Sequence, residues 1–188
     1  MRSEILAAPE TKRGALQLDA VSPQGQFSGY ATLFGQVDLG RDRVERGAFQ
    51  KSLRQRTAKQ IRMLFQHDPC APIGTWLEVR EDAHGLFVKG QIVTDTARGR
   101  EVLSLMRAGA IDGLSIGFRT QKSRTDRKSG VRSILEADLW EISIVTFPML
   151  PQARVAQVKG QSLSPENRLA AAALKLHLTA AAWRLKAR

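Results

Sequence analysis

The chain has 188 residues and carries a net charge of +11, from 29 lysines and arginines against 18 acids. That length holds one domain with a core, or one domain plus a tail. With 43% hydrophobic and 25% charged residues the composition is that of an ordinary soluble globular protein, and no apolar run reads as a bilayer span or a signal-peptide core.

Residues 1–13 are polar, contain Pro9 and show no period, so a flexible N-terminus is expected there. Ala15 to Val21 alternates as a strand, Ser22-Pro23-Gln24-Gly25 reads as a turn, and Gln26 to Phe34 returns as a second strand of a hairpin. Gly35 to Asp42 is a loop. Gly47-Ala48-Phe49 opens a short helix to about Arg56, with Phe49 and Leu53 on one face.

Ile61 to His67 is a strand with Ile61, Met63, Phe65 and His67 on one side, ending where Asp68-Pro69 restricts the backbone. Ile73 to Arg80 and Leu86 to Val93 form two more strands joined at Asp82 to Gly85. Thr94-Asp95-Thr96 supplies caps for a helix from Ala97 to about Ala108, with Val102, Leu105 and Met106 as its apolar stripe and Gly109 as its stop.

The strand around Ser115 follows. Thr120 to Arg132 is polar and reads as a mobile hairpin loop tipped by Lys128-Ser129-Gly130. Ile134 to Thr146 is a strand, and Pro151 to Val158 a last short one. Gly160 to Ser164 is a linker to an amphipathic helix that starts at Ser164-Pro165-Glu166 and reaches about Leu185. The domain division is therefore 1–13, a central domain over 14–160, and 161–188 as linker and C-terminal helix. The fold class is α+β, mainly antiparallel β, with helices outside a sheet or barrel.

Ser115 lies in Gly113-Leu114-Ser115-Ile116-Gly117. In a strand, Leu114, Ile116 and Phe118 share one side and Ser115, Gly117 and Arg119 the other. The flanking glycines clear the space beside the hydroxyl. A serine hydroxyl is a weak nucleophile without a base. Of the three histidines, His84 lies in a turn and His177 on the terminal helix, which leaves His67 as the candidate base. A hydrogen-bonded histidine at a strand end is the competing reading.

Glu141 stands in Leu139-Trp140-Glu141-Ile142-Ser143-Ile144-Val145, a strand otherwise fit for burial, where a carboxylate requires a partner. An imidazole or an arginine meets that need, and Asp138 is the rival acid. Cys70, the single cysteine, excludes an internal disulfide, fits a reducing compartment and lacks an activator. His67, Asp68 and His84 do not have a metal-ligand spacing, and no cofactor motif is present. The Gly-Xaa-Ser-Xaa-Gly string matches the hydrolase elbow only as a pattern, since no strand–serine–helix turn follows.

The basic stretches at Arg41 to Arg46, Lys51 to Arg62, Lys122 to Arg132 and Arg184 to Arg188 carry no interleaved aromatics for stacking bases. No zinc-finger or RNA-binding signature appears. Most of this charge reads as solvated surface, with a smaller part free to dock an acidic partner.

Taken in order, Gly29-Tyr30-Ala31, Arg46-Gly47-Ala48-Phe49, Gln66-His67-Asp68, Pro72-Ile73-Gly74, Gly113-Leu114-Ser115-Ile116-Gly117-Phe118 and Leu139 to Val145 resemble the prohead proteases of tailed bacteriophages, over about Phe27 to Val158. That family is distantly similar to the herpesvirus capsid protease, assemblin. The resemblance implies a small β-barrel surrounded by helices, with Ser115 as nucleophile, His67 as general base and Glu141 where assemblin has a second histidine. It implies a serine endopeptidase that needs no cofactor or metal. The expected substrates are scaffold, or the scaffolding segment of the major capsid protein precursor, cut inside the procapsid in the host cytoplasm. Self-cleavage and self-association are further expectations; membrane is not a partner and nucleic acid is not favoured. The assemblin oxyanion arginine has no counterpart in Thr146-Phe147-Pro148-Met149-Leu150, where a main-chain amide of Met149 or Leu150 is the candidate donor. A non-catalytic basic assembly protein that binds scaffold or nucleic acid is the alternative function, and an unrelated esterase a third.

Overall fold

The structure is a computed structural model, and it describes residues 25–155. The expected hairpin strand at Ala15 to Val21, the flexible N-terminus, the linker and the C-terminal helix lie outside the described residues.

The described residues form seven strands: β1 (Gln26–Leu33), β2 (Asp42–Val44), β3 (Arg62–Phe65), β4 (Asp68–Glu81), β5 (Gly85–Ile92), β6 (Gly113–Thr125) and β7 (Arg132–Val145). Between them lie helix α1 (Gln50–Gln55), a 3-10 turn at Ala58–Gln60 and helix α2 (Ala97–Arg107). The strands form one sheet in the order β1-β5-β4-β3-β7-β2, with β6 also paired to β7. Pairings are antiparallel except β2–β7 and β3–β7, which are parallel. The described residues are thus strand-rich, with few helices, in line with the expected excess of strands.

The sheet is strongly curled. Arg154 bridges to Gly113 of β6 and Val155 to Gly29 of β1, which brings the two ends of the sheet to one segment. Leu114 N–H donates to Ala153 O at 2.9 Å, and Val155 N–H to Asp112 O at 2.7 Å. Glycine is required at position 29, where a β-carbon would lie 2.6 Å from Arg154 O. The enclosed core holds Phe27, Met63, Ile73, Trp76, Leu86, Val88, Leu114, Ile142 and Ile144, all buried. Phe27 and Trp76 meet edge to face, with ring centroids 5.6 Å apart.

Helix α2 is capped as expected, with Thr96 Oγ1 accepting from Gly99 N–H at 3.0 Å. Its buried face is Gly99, Val102, Leu103 and Met106, and Leu105, expected in the stripe, is partly buried against the same core. Those four positions follow the i, i+3, i+4, i+7 spacing of one helix face.

Beside the short β2 strand, which the sequence pattern does not place, three stretches depart from expectation. Thr120 to Thr125 is strand rather than loop: β6 and β7 continue as a ribbon beyond the core, so that segment is polar because both faces meet solvent. Pro69 does not end the sheet, because β4 begins at Asp68 and passes Pro69 and Pro72 by irregular pairing with β3. The β3 strand itself stops at Phe65, and Gln66 (φ 56°) and His67 (φ 59°) turn the chain in the left-handed region. His67 is therefore in a tight turn between two strands, not on the β3 face beside Met63.

Candidate active site

β7 supplies the floor of the site. Its final residues have β3 on one side and β6 on the other. In register, Leu64, Ser143 and Ser115 form one row across the three strands, and Arg62, Glu141 and Gly117 the next row on the same face. The alternating residues Ile142 and Ile144 are fully buried in the core. Ser115, Ser143 and Glu141 therefore share the opposite face.

The left-handed turn delivers His67 to that face. Each left-handed non-glycine residue costs about 1–3 kcal/mol and persists only where its surroundings hold it. Here Gln66 N–H donates to Ile144 O at 3.0 Å, and Gln66 Nε2 to Thr146 Oγ1 at 2.7 Å. His67 N–H donates to Ser143 Oγ at 3.1 Å. The His67 ring then reaches Glu141, with Nδ1 2.6 Å from Oε1, while Ser143 Oγ donates to Oε2 at 2.6 Å.

The Glu141 carboxylate lies over Gly117, where a β-carbon would stand 2.1 Å from Oε1. Through Glu141, whose partner across the ladder is Gly117, the imidazole is tied to the row next to Ser115 on the same face of the sheet. Ser115 is 4% exposed, and the side chains of His67 and Glu141 are 42% and 14% exposed. The site is shielded on the serine and acid side and open at the imidazole. The hydrogen bond to Glu141 is the largest influence on His67 and holds its pKa above the ordinary imidazole value; partial burial acts the other way.

The structure brings His67 and Glu141 together and sets Ser115 on the same face. It separates Asp138 from them: that carboxylate accepts from Arg56 Nη2 at 3.0 Å and Trp140 Nε1 at 2.7 Å. Cys70 is exposed at the start of β4. His84 lies in the β4–β5 turn against Tyr30, with ring centroids 6.2 Å apart. Among the described residues no three His, Cys, Asp or Glu side chains group as metal ligands. The same residues contain no helix long and apolar enough to cross a membrane. The turn Thr146 to Leu150 packs at the head of β6, where a β-carbon on Gly113 would lie 2.8 Å from Pro148 Cδ.

Sequence reasoning passed over Ser143. The signal was present, since Glu141 and Ser143 are two apart and so share a strand face, but a serine in an apolar strand carries no charge that demands explanation.

A strand serine, an imidazole and a carboxylate on one face of a curled sheet have the composition of a serine-hydrolase site. The profile of the Caudovirus prohead serine protease family matches residues 15–168, and the chain belongs to that family. It is 35% identical over 139 residues to the prohead protease of Enterobacteria phage HK97, covering 72% of this chain and 61% of that protein. The chain thus spans about three fifths of that relative's length. The fold is similar to that of the bacteriophage T4 capsid assembly protease, with a TM-score of 0.56 at 16% identity over 66% of this chain and 82% of the other. A protease of Kaposi's sarcoma herpesvirus aligns with a TM-score of 0.47 at 13% identity, over 82% of this chain and 76% of that one.

Proposed function

We propose that this protein is a capsid maturation serine endopeptidase of a tailed phage. It cuts scaffold, or the scaffolding segment of the major capsid protein, inside the procapsid. Self-association and self-cleavage there belong to the same reading, as does an assemblin-type barrel. The observation that carries the proposal is the 2.6 Å bond between His67 Nδ1 and Glu141 Oε1, on the face that holds Ser115, in a chain of the prohead protease family.

The chemistry follows from the proton positions. Glu141 on Nδ1 keeps the neutral imidazole's proton there, so the Nε2 lone pair is the one that accepts. Ser115 Oγ attacks the scissile carbonyl carbon as Nε2 takes the hydroxyl proton. The imidazolium so formed is stabilised by Glu141. His67 returns the proton to the departing amine, leaving an acyl-serine. Water, activated by the same Nε2, then releases the acid and restores Ser115. The oxyanion needs preorganised donors, and the main-chain N–H of Met149 or Leu150 is the candidate, in a turn whose Pro148 packs on Gly113 at the head of the Ser115 strand.

Co-expression with the capsid precursor tests this reading. Wild type is expected to shorten the precursor and Ser115→Ala to leave it at full mass. An unprocessed precursor with both proteins, inside assembled shells, would favour a non-catalytic assembly protein.

A further inference from the structure

Ser143 makes two bonds that the proposed mechanism does not require of an ordinary strand serine. Its residue is 0% exposed, so its hydroxyl has to be paired within the protein. A serine Oγ is both donor and acceptor. Here the single hydrogen goes to Glu141 Oε2 at 2.6 Å, and a lone pair takes the His67 N–H at 3.1 Å. Glu141 Oε1 returns to His67 Nδ1 at 2.6 Å.

We propose that Ser143 is a positioning residue of this site: its hydroxyl closes a hydrogen-bonded cycle that fixes His67 at both its backbone and its ring against Glu141. The proposal rests on reading Ser115, His67 and Glu141 as nucleophile, base and orienting acid.

Three features of the structure give the cycle its purpose. The His67 amide belongs to a left-handed residue, and Ser143 Oγ is the partner that holds it there. Both Glu141 oxygens are bonded, so turning the carboxylate away from the ring breaks two hydrogen bonds. Ser143 is also the direct cross-strand partner of Ser115, so the cycle is anchored at the strand position that faces the hydroxyl. A base fixed from both ends needs little rearrangement to reach that hydroxyl, and errors of about 1 Å in such a site cost on the order of a hundredfold in rate.

The test compares wild type with Ser143→Ala, Glu141→Gln, the double variant and Ser115→Ala. All are full chains, assayed on a peptide spanning the junction cut in the capsid precursor. Ser143→Ala is expected to lower kcat by roughly ten- to a hundredfold with KM within about twofold. The pH midpoint of kcat should move downward, because an untethered carboxylate holds the ring less closely and the Glu141 hydrogen bond that raises the His67 pKa weakens. Adding Ser143→Ala to Glu141→Gln should cost much less than the product of the single losses.

The imidazole titration, read by NMR in a Ser115→Ala background, should shift downward in the same way without any turnover. Multiplicative losses, or a lowered melting temperature with an unmoved imidazole midpoint, would make Ser143 a packing residue and overturn the proposal. If Ser115→Ala still cleaves, the reading of the nucleophile has failed instead, and the NMR titration alone decides on the cycle. If Ser143→Ala does not fold, Ser143→Cys keeps the volume with a much weaker donor and is expected to give the same signature.

Discussion

Glu141 stands directly opposite Gly117 in the β6–β7 ladder, and its carboxylate occupies the volume that a side chain at 117 would need. A β-carbon there would lie 2.1 Å from Oε1, 2.7 Å from Cδ and 2.8 Å from Cγ. The glycine after Ser115 is thus explained by the acid across from it, not by a turn.

Gly117→Ala should therefore act on the site more than on the fold. The carboxylate is the free end of a side chain and can swing aside, so the cost in stability should be about 1–3 kcal/mol. Swinging aside breaks its bond to His67, and cleavage should fall by on the order of a hundredfold. Thermal melts and peptide cleavage read the two effects separately. Normal cleavage with an alanine at 117 would show that the carboxylate's place does not matter.

The two candidate acids have different partners, and this sets a second prediction. Glu141→Gln keeps the shape, removes the charge that stabilises imidazolium and allows the wrong tautomer. In the serine-protease template the corresponding change costs about ten-thousandfold. A loss of on the order of a hundredfold or more is expected here, with Glu141→Ala at least as damaging. Asp138→Asn breaks a partly exposed pair with Arg56, which is worth about 1 kcal/mol or less, and should leave cleavage within about twofold. The reverse order of damage in a steady-state assay would move the orienting role to Asp138.

The pH dependence has a definite sign. The base must be neutral, so the rate should rise with pH through the His67 midpoint. That midpoint lies above the ordinary imidazole value because of the Glu141 hydrogen bond. Glu141→Gln removes that cause and should lower the midpoint. Stability moves the other way. A raised histidine pKa favours the folded, protonated form, so this contribution is complete below the unfolded imidazole's value and is lost as pH rises through the folded one. The difference in melting temperature between wild type and His67→Gln should accordingly shrink as pH rises, while the wild-type rate climbs. A rate that is flat through the imidazole range, with chemistry limiting, contradicts the assignment of His67.

Much of this arrangement is legible in the sequence, for identifiable reasons. β5 alternates buried with more exposed positions from Leu86 to Ile92, and α2 carries its cap and its terminal glycine. His67 and Glu141 were reachable because histidines are few and a carboxylate in an apolar strand requires a partner. The left-handed turn at Gln66 and His67 was not, since neither is a glycine and the bonds that hold it come from Ile144, Thr146 and Ser143, far along the chain. The outer half of β6 was missed because a ribbon wet on both faces has no apolar face to alternate. β2 is three residues long and is specified by its parallel register with β7, not by its own pattern.

The central claim is that Ser115 is the nucleophile and His67 its base. The most direct measurement is mass-spectrometric mapping of the adduct formed with an alkyl fluorophosphonate, in the presence of the capsid precursor. One phosphonyl group on Ser115 is expected in the wild-type protein, with labelling slowed by at least about a hundredfold in His67→Ala. An adduct on another residue, or labelling of Ser115 at the same rate without His67, would contradict the account.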